Sequence, residues 1–185
     1  MSDPVRVFRK LALANRLANA RLHRSCAALP VDDLTAERPA FFGSIQATLN
    51  HILLVGRFYI NAVEGNPYNK PSLEEARTCP DLPTLVQWQE VSDRRLIDHV
   101  EGLSPADLSD IVKVDRVERV QLDRRDDVLL HLMTHQIHHR GQVHDMLSAT
   151  ALKPPQLDEF IVGDDAATRA DDMSALGWTE RDLMR

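Results

Sequence analysis

The sequence has little cysteine, few aromatic residues and no long apolar run, and each shortage closes off a class of protein. Its two cysteines, Cys26 and Cys79, form no CxxC pair and no disulfide-scaffold spacing. The chain is therefore expected to fold without disulfides, in a reducing cytoplasm. No uncharged stretch approaches the roughly 18 apolar residues of a membrane-spanning helix, so no membrane partner is expected. The N-terminal MSDPVRVFRKLALANRLANARL is broken by Arg and Asn every few residues and lacks the apolar segment of a signal peptide. Basic side chains are in the minority as well: 22 Lys and Arg stand against 28 Asp and Glu, a formal net charge of -6. That balance argues against the broad basic face of a nucleic-acid binder. No internal repeat and no low-complexity segment is evident.

What the sequence does contain is a helical pattern. With 43% hydrophobic and 27% charged residues in a chain of 185, one globular domain over residues 1–185 is expected, with a core from 5 to 150 and a tail from 151 to 185 packed on it. Four long segments carry apolar residues at helical spacing, separated by stretches rich in Pro, Gly, Asp and Asn. The first runs from Pro4 to about Ala28. The second starts at Ser44 as N-cap and stops near Gly65 and Pro67, the third runs from Asp81 and Pro83 to Gly102, and the fourth spans about Arg125 to Ala149. The fold class expected is all-α, a four-helix bundle. Between the third and fourth helices, DIVKVDRVERVQLDR alternates Val with polar residues and predicts a short hairpin or extended arm. The tail predicts a short helix, with Trp178 packed back on the body.

The fourth helix carries HLMTHQIHHRGQ, residues 131–142, which holds four of the eight histidines. At about 100° per residue, taking His135 as zero, His139 lies at about +40°, His131 at about -40° and His138 at about -60°. Val128, Leu132 and Met146 fall between about +20° and +60°, so the stripe is expected on an apolar, core-facing side, whereas His144 lies at about 180° and faces solvent. In the second helix, His51 shares a face with Ala47, Val55, Phe58 and Ala62, within about 40°. A second apolar stripe there, Ile45, Leu49, Leu53 and Ile60, calls for a further neighbour, either another helix or another subunit. A lone inward histidine is most often structural. Two at i and i+4 differ, because neutral imidazoles satisfy one another poorly and are costly to protonate in an apolar setting, while a divalent ion satisfies both. The same spacing brings two ring nitrogens to one ion in helical zinc sites.

The segment His131 to Gln142, with its spaced histidines ending in His-Arg-Gly-Gln, together with LNHIL at residues 49–53, resembles the DinB/YfiT family of metal-dependent proteins. The resemblance covers about residues 5–150. It implies a four-helix bundle of unusual connectivity, often a homodimer, with a divalent metal, zinc or nickel by preference, held by His51, His135 and His139. His131 would stand one turn outside the ligand set, and His138 departs from a position that is commonly aromatic in the family. Family members include transferases and isomerases that use low-molecular-weight thiols such as bacillithiol, mycothiol or glutathione.

Three neutral ligands leave a divalent cation its full charge and open positions. A coordinated thiol would ionise, which suits a thiol S-transferase or related isomerase acting on a small molecule; an acidified water would suit a metal-dependent hydrolase instead. A non-catalytic metal or small-ligand binding protein is the third reading. No carboxylate shares the histidine face, since Glu64 lies at about -140° from His51 and Asp145 at about -80° from His135. Asp158 and Glu159 are candidates to fold over the pocket mouth, although an acidic pair after a turn is usually solvated. Arg140 either steers an anionic thiol cofactor or pairs with a carboxylate on a neighbouring helix. Gln142, at about -20°, is placed to support a ligand or bound water. Gly141 is expected to mark a close helix contact, and Tyr59 and Trp88 either line a pocket or lie in the core.

Overall fold

The computed structural model describes residues 3–66, 78–116, 118–158 and 162–185. In chain order it contains α1 (Val5–Ala27), a short α2 (Val31–Thr35), α3 (Ile45–Val63), α4 (Leu82–Glu101), strands β1 (Ile111–Asp115) and β2 (Val120–Arg124), α5 (Arg125–Ser148), α6 (Ala170–Leu176) and α7 (Glu180–Met184). Helices α3 and α4 begin where N-cap side chains satisfy free backbone N–H groups. Ser44 accepts from the Ala47 amide at 3.1 Å and Asp81 from the Thr84 amide at 3.0 Å. Helix α3 stops where Gly65 turns left-handed at φ 77°, a conformation that would strain a residue bearing a Cβ. Asp126 and Asp127 sit in the first turn of α5, where the positive end of the helix dipole favours them.

Helix α1 packs chiefly on α4 and α5, and α3 packs on the same two helices. Cross-helix hydrogen bonds fix the directions. Arg9 Nη2 donates to Leu103 O and Arg16 Nη1 to Glu90 O, so α1 and α4 are antiparallel. Arg125 Nη1 donates to Val63 O and Gln136 Nε2 to Ile52 O, so α3 and α5 are antiparallel as well. Gln46 reaches Pro80 O and Arg95 reaches Asn61 Oδ1, so α3 and α4 run the same way. The strands pair antiparallel with Lys113 opposite Leu122, and Val112 and Val114 turn inward onto the body as the alternation predicts.

The interior has two apolar clusters with polar residues between them. Phe8, Ala12, Phe58, Leu96, Leu129 and the hairpin valines form one. Leu22, Leu34, Leu49, Leu53, Leu85 and Val143 belong to the other. Buried Asn15, Asn19, Gln89, Asp93, Gln136 and Arg140 lie between in sequence register. The second stripe of α3 finds its neighbour within the chain: Ile45, Leu49 and Leu53 pack with Leu82 and Leu85 of α4 and with Leu29 and Leu34 around α2. Each such buried side chain contributes roughly 1.5–3 kcal/mol. The tail holds two short helices and a 3-10 turn (Gly163–Arg169) rather than one short helix. Met173 and Leu183 cover Leu13 and Leu17, and Asp172 pairs with Arg21 at 2.6 Å and Arg24 at 2.8 Å. Trp178 is half-buried, with the Arg16 guanidinium 5.8 Å from its ring. No helix among the described residues is long and apolar enough to cross a membrane.

Candidate metal centre

Helix α3 contributes His51 and helix α5 contributes His135 and His139, one turn apart. Their ring centroids lie 5.0 Å (51 to 135), 4.5 Å (51 to 139) and 4.3 Å (135 to 139) from one another. One ring nitrogen from each falls within 4.8 Å of the other two, and the Nε2 atoms of His51 and His135 are 3.1 Å apart. Two nitrogens bound at about 2.0–2.1 Å to one tetrahedral ion would be separated by about 3.3 Å. The His51–His135 pair is near that separation, and the three nitrogens together could hold a divalent ion. Burial, with the neighbouring imidazoles adding to it, pushes His51 down to about 4 and His135 down to about 3. His139 is also lowered by burial, against an opposing hydrogen bond to Gln142. All three rings are thus neutral at pH 7, with lone pairs free for coordination. His135 Nδ1 is buried with no hydrogen-bond partner among the described residues.

The surroundings show where the residues singled out in the sequence lie. Phe42 stacks on His51 at 3.9 Å between centroids and meets His139 edge-on at 5.6 Å, so it walls one side of the cluster. Gln142 Oε1 accepts from His139 Nδ1 at 2.7 Å, which leaves Nε2 as the lone-pair nitrogen, and its amide nitrogen lies 3.3 Å from His138 Nε2. His138 is exposed, and it meets His139 edge-on at 4.8 Å as well as the Gln142 amide. Tyr59 is buried and carries His131 against its ring at 4.9 Å.

Several expectations need correction. The histidine stripe lies along the edge of the core rather than wholly within it, with His139 buried and His135 half-buried. The buried side of α5 takes in His139 together with Leu129, Leu132, Gln136, Arg140, Val143 and Leu147, and its centre lies about 90° around the helix from His135. The triad therefore lies at the margin of the α3–α5 seam, and His131, one turn farther out, is exposed. Val128, Leu132 and Met146, all buried, lie where the histidine edge and the core face overlap. Arg140 leaves the site. It is buried on the α1 side, where Nη1 donates to Asn15 Oδ1 and to Asn19 Oδ1, and both asparagines donate in turn to Asp93, at 3.1 and 3.0 Å. Asp93 also takes a bond from Gln89 at 2.9 Å. The carboxylate-facing role is the one this arrangement fits, relayed by two amides. Gly141 marks no close contact, because a Cβ there would meet nothing within 4 Å. Trp88 is 43% exposed, beside Arg57, and neither lines the site nor joins the core. Asp158 is exposed and lies beside Leu11, Ala14 and Arg140, away from the histidines; Glu159 lies outside the described residues.

A model of the DinB family matches residues 1–170. The chain belongs to the DinB family. The fold agrees: a crystal structure of a DinB-like protein from Bacillus cereus superposes with a TM-score of 0.58 at 15% identity, over 75% of this chain and 89% of that one. Comparison with curated proteins gives no match. Of the residues that shape this DinB centre, Phe42 escaped sequence reasoning, since an aromatic ahead of an N-cap carries no metal signal. Asn15 and Asn19 carried a readable one, two amides at i and i+4 on the buried face of α1.

Proposed function

We propose that this DinB protein is a metal-dependent thiol S-transferase or related isomerase, with one divalent ion, zinc or nickel by preference, held by His51, His135 and His139. The observation that carries the reading is the convergence of three neutral ring nitrogens from two helices within 4.8 Å, at the edge of the seam rather than in its core. A site at the margin leaves room for a small-molecule substrate beside the ligands, which a closed structural site would not. Bound there, the ion would supply Lewis acidity that ionises a coordinated thiol of the bacillithiol, mycothiol or glutathione type. The chain's own residues orient and shield. Gln142 fixes the tautomer of His139, Phe42 excludes water from one side of His51, and the antiparallel packing of α3 on α5 sets the separation of the ligands. No Asp or Glu belongs to the cluster among the described residues. That favours a nucleophile which needs no protein base, and so favours a thiol over water. The four long helices are read as the family's bundle, with the tail as part of one domain. The same resemblance supports a homodimer acting in the cytoplasm, which sedimentation and localisation can check.

The test is conjugation of glutathione and of bacillithiol to chlorodinitrobenzene by metal-loaded protein. Turnover removed by chelator, restored by metal and missing in His135→Ala supports the transferase. Ester hydrolysis without thiol would favour the hydrolase, and stoichiometric metal with neither activity a binding protein.

A further inference from the structure

Along the seam from the triad towards the hairpin, a second polar group stands open. His131 lies 6.4 Å from His135 between ring centroids and rests edge-on against Tyr59 at 4.9 Å. On the same tyrosine lies Arg116, at the end of β1, with its Cζ 5.4 Å from the ring centroid and 5.5 Å from that of Phe58. Arg116 Nη2 donates to Tyr59 Oη at 2.9 Å and Nε to Gln121 Oε1 at 3.1 Å. Its partners among the described residues are thus neutral acceptors and aromatic faces, with no carboxylate in ion-pair reach. Among the described arginines, Arg21, Arg95, Arg124 and Arg169 by contrast each meet an acid directly. Arg116 is also accessible, since it lines an open cleft of about 370 Å³ with Glu118, Arg119 and Gln121. A guanidinium fixed by an aromatic floor and a phenol, with no direct ion pair among the described residues, is pre-organised for a planar anion.

We propose that Arg116, with Tyr59 beneath it and His131 between it and the triad, forms a subsite for the carboxylate end of a substrate whose other end lies at the three histidines. The inference rests on the metal reading above. The span can be read from the helices: His51 and Tyr59 are eight residues apart on α3, about 12 Å at 1.5 Å per residue, and His135 and His131 about 6 Å apart on α5. The substrate class is therefore an elongated carboxylic acid with a metal-seeking group roughly 10 Å from the acid. Arg116 binds this end and sets specificity; it takes no part in bond making.

The experiment uses the full chain loaded with cobalt(II), whose visible spectrum reports the histidine site, and measures binding of mercaptooctanoate, mercaptooctanol and mercaptopropionate by calorimetry. The long acid is expected to bind about tenfold more tightly than the alcohol of equal length, as a charge-assisted bidentate contact allows, while the short acid gains nothing. In Arg116→Gln the long acid should fall to the level of the alcohol, with alcohol affinity and cobalt spectrum unchanged, and Arg116→Lys should retain part of the preference. No preference for the long acid in the wild type, or a preference that survives in Arg116→Gln, overturns the subsite while the cobalt spectrum leaves the metal centre standing. Failure to bind cobalt at all removes the metal reading, and the subsite with it.

Discussion

His139 is oriented by one bond, from Nδ1 to Gln142 Oε1 at 2.7 Å, and that bond gives a test at a single side chain. In Gln142→Leu the ring keeps its position but loses the partner that fixes its tautomer, so metal affinity should fall about 10–100-fold in chelator competition. An unchanged affinity would mean that packing against Phe42 orients the ring instead. The neighbouring Gly141 has the opposite sign. Its Cβ would point into open space in the middle of a helix, so Gly141→Ala should raise stability by about 0.5–1 kcal/mol in urea unfolding without altering metal content. How much of the site could be read in the sequence differs by residue for physical reasons. The His135–His139 pair was legible because i, i+4 spacing is itself a geometry. His51 was legible as an inward-facing histidine on another helix, a third nitrogen to set opposite the pair, and the resemblance named it in the same ligand set. Phe42 stacks on a ligand from a loop, a tertiary contact that leaves no local pattern, and Arg116 comes to Tyr59 only once the hairpin packs on α3.

Helix α5 presents two functions on adjacent edges, and its phase is what keeps them apart. Gln136 and Arg140 each follow a ligand histidine by one residue and point inward, Gln136 to Ile52 O at 3.0 Å and Arg140 to the asparagines of α1. Gly56 leaves the space this needs: a Cβ there would stand 2.9 Å from Gln136 Nε2. Asp93 is the counter-charge for this layer. Burial raises its affinity for a proton, while Asn19, Gln89 and Arg140 oppose that rise. Asp93→Ala leaves Arg140 buried without a compensating charge and should cost about 3–5 kcal/mol; a denaturation midpoint close to wild type would contradict the assignment. The ends of α3 and α4 were readable from Ser44, Asp81 and Gly65, because caps are local chemistry. The five residues of α2 are too few to show a period, and the sequence pattern of α5 did not separate its ligand edge from the centre of its core face because the two share Val128 and Met146.

For the molecule as a whole, the depressed histidines make stability depend on acid. His51 and the buried His23, both pushed down to about 4, and His135, down to about 3, compare with about 6.5 in an unfolded chain. Between about pH 6.5 and 4 the unfolded state binds more protons than the folded one. Stability is therefore fully present above that window and declines as the pH falls through it. Thermal melts of the metal-free protein should show Tm dropping across this range, and the metal-loaded protein should release its ion in the same range; a flat profile would contradict neutral buried imidazoles. The fold class was legible because the core is built from helical stripes that repeat along the chain. The pairing of those stripes was not, since α3 buries two faces and only the assembled structure shows that α4 and the α1–α2 corner cover the second. The central claim is a three-histidine metal centre spanning α3 and α5, and elemental analysis of untagged wild type beside His51→Ala tests it most directly. About one divalent ion per chain in the wild type and its loss in the variant is the predicted result, whereas metal retained undiminished without His51, or absent from both, would contradict it.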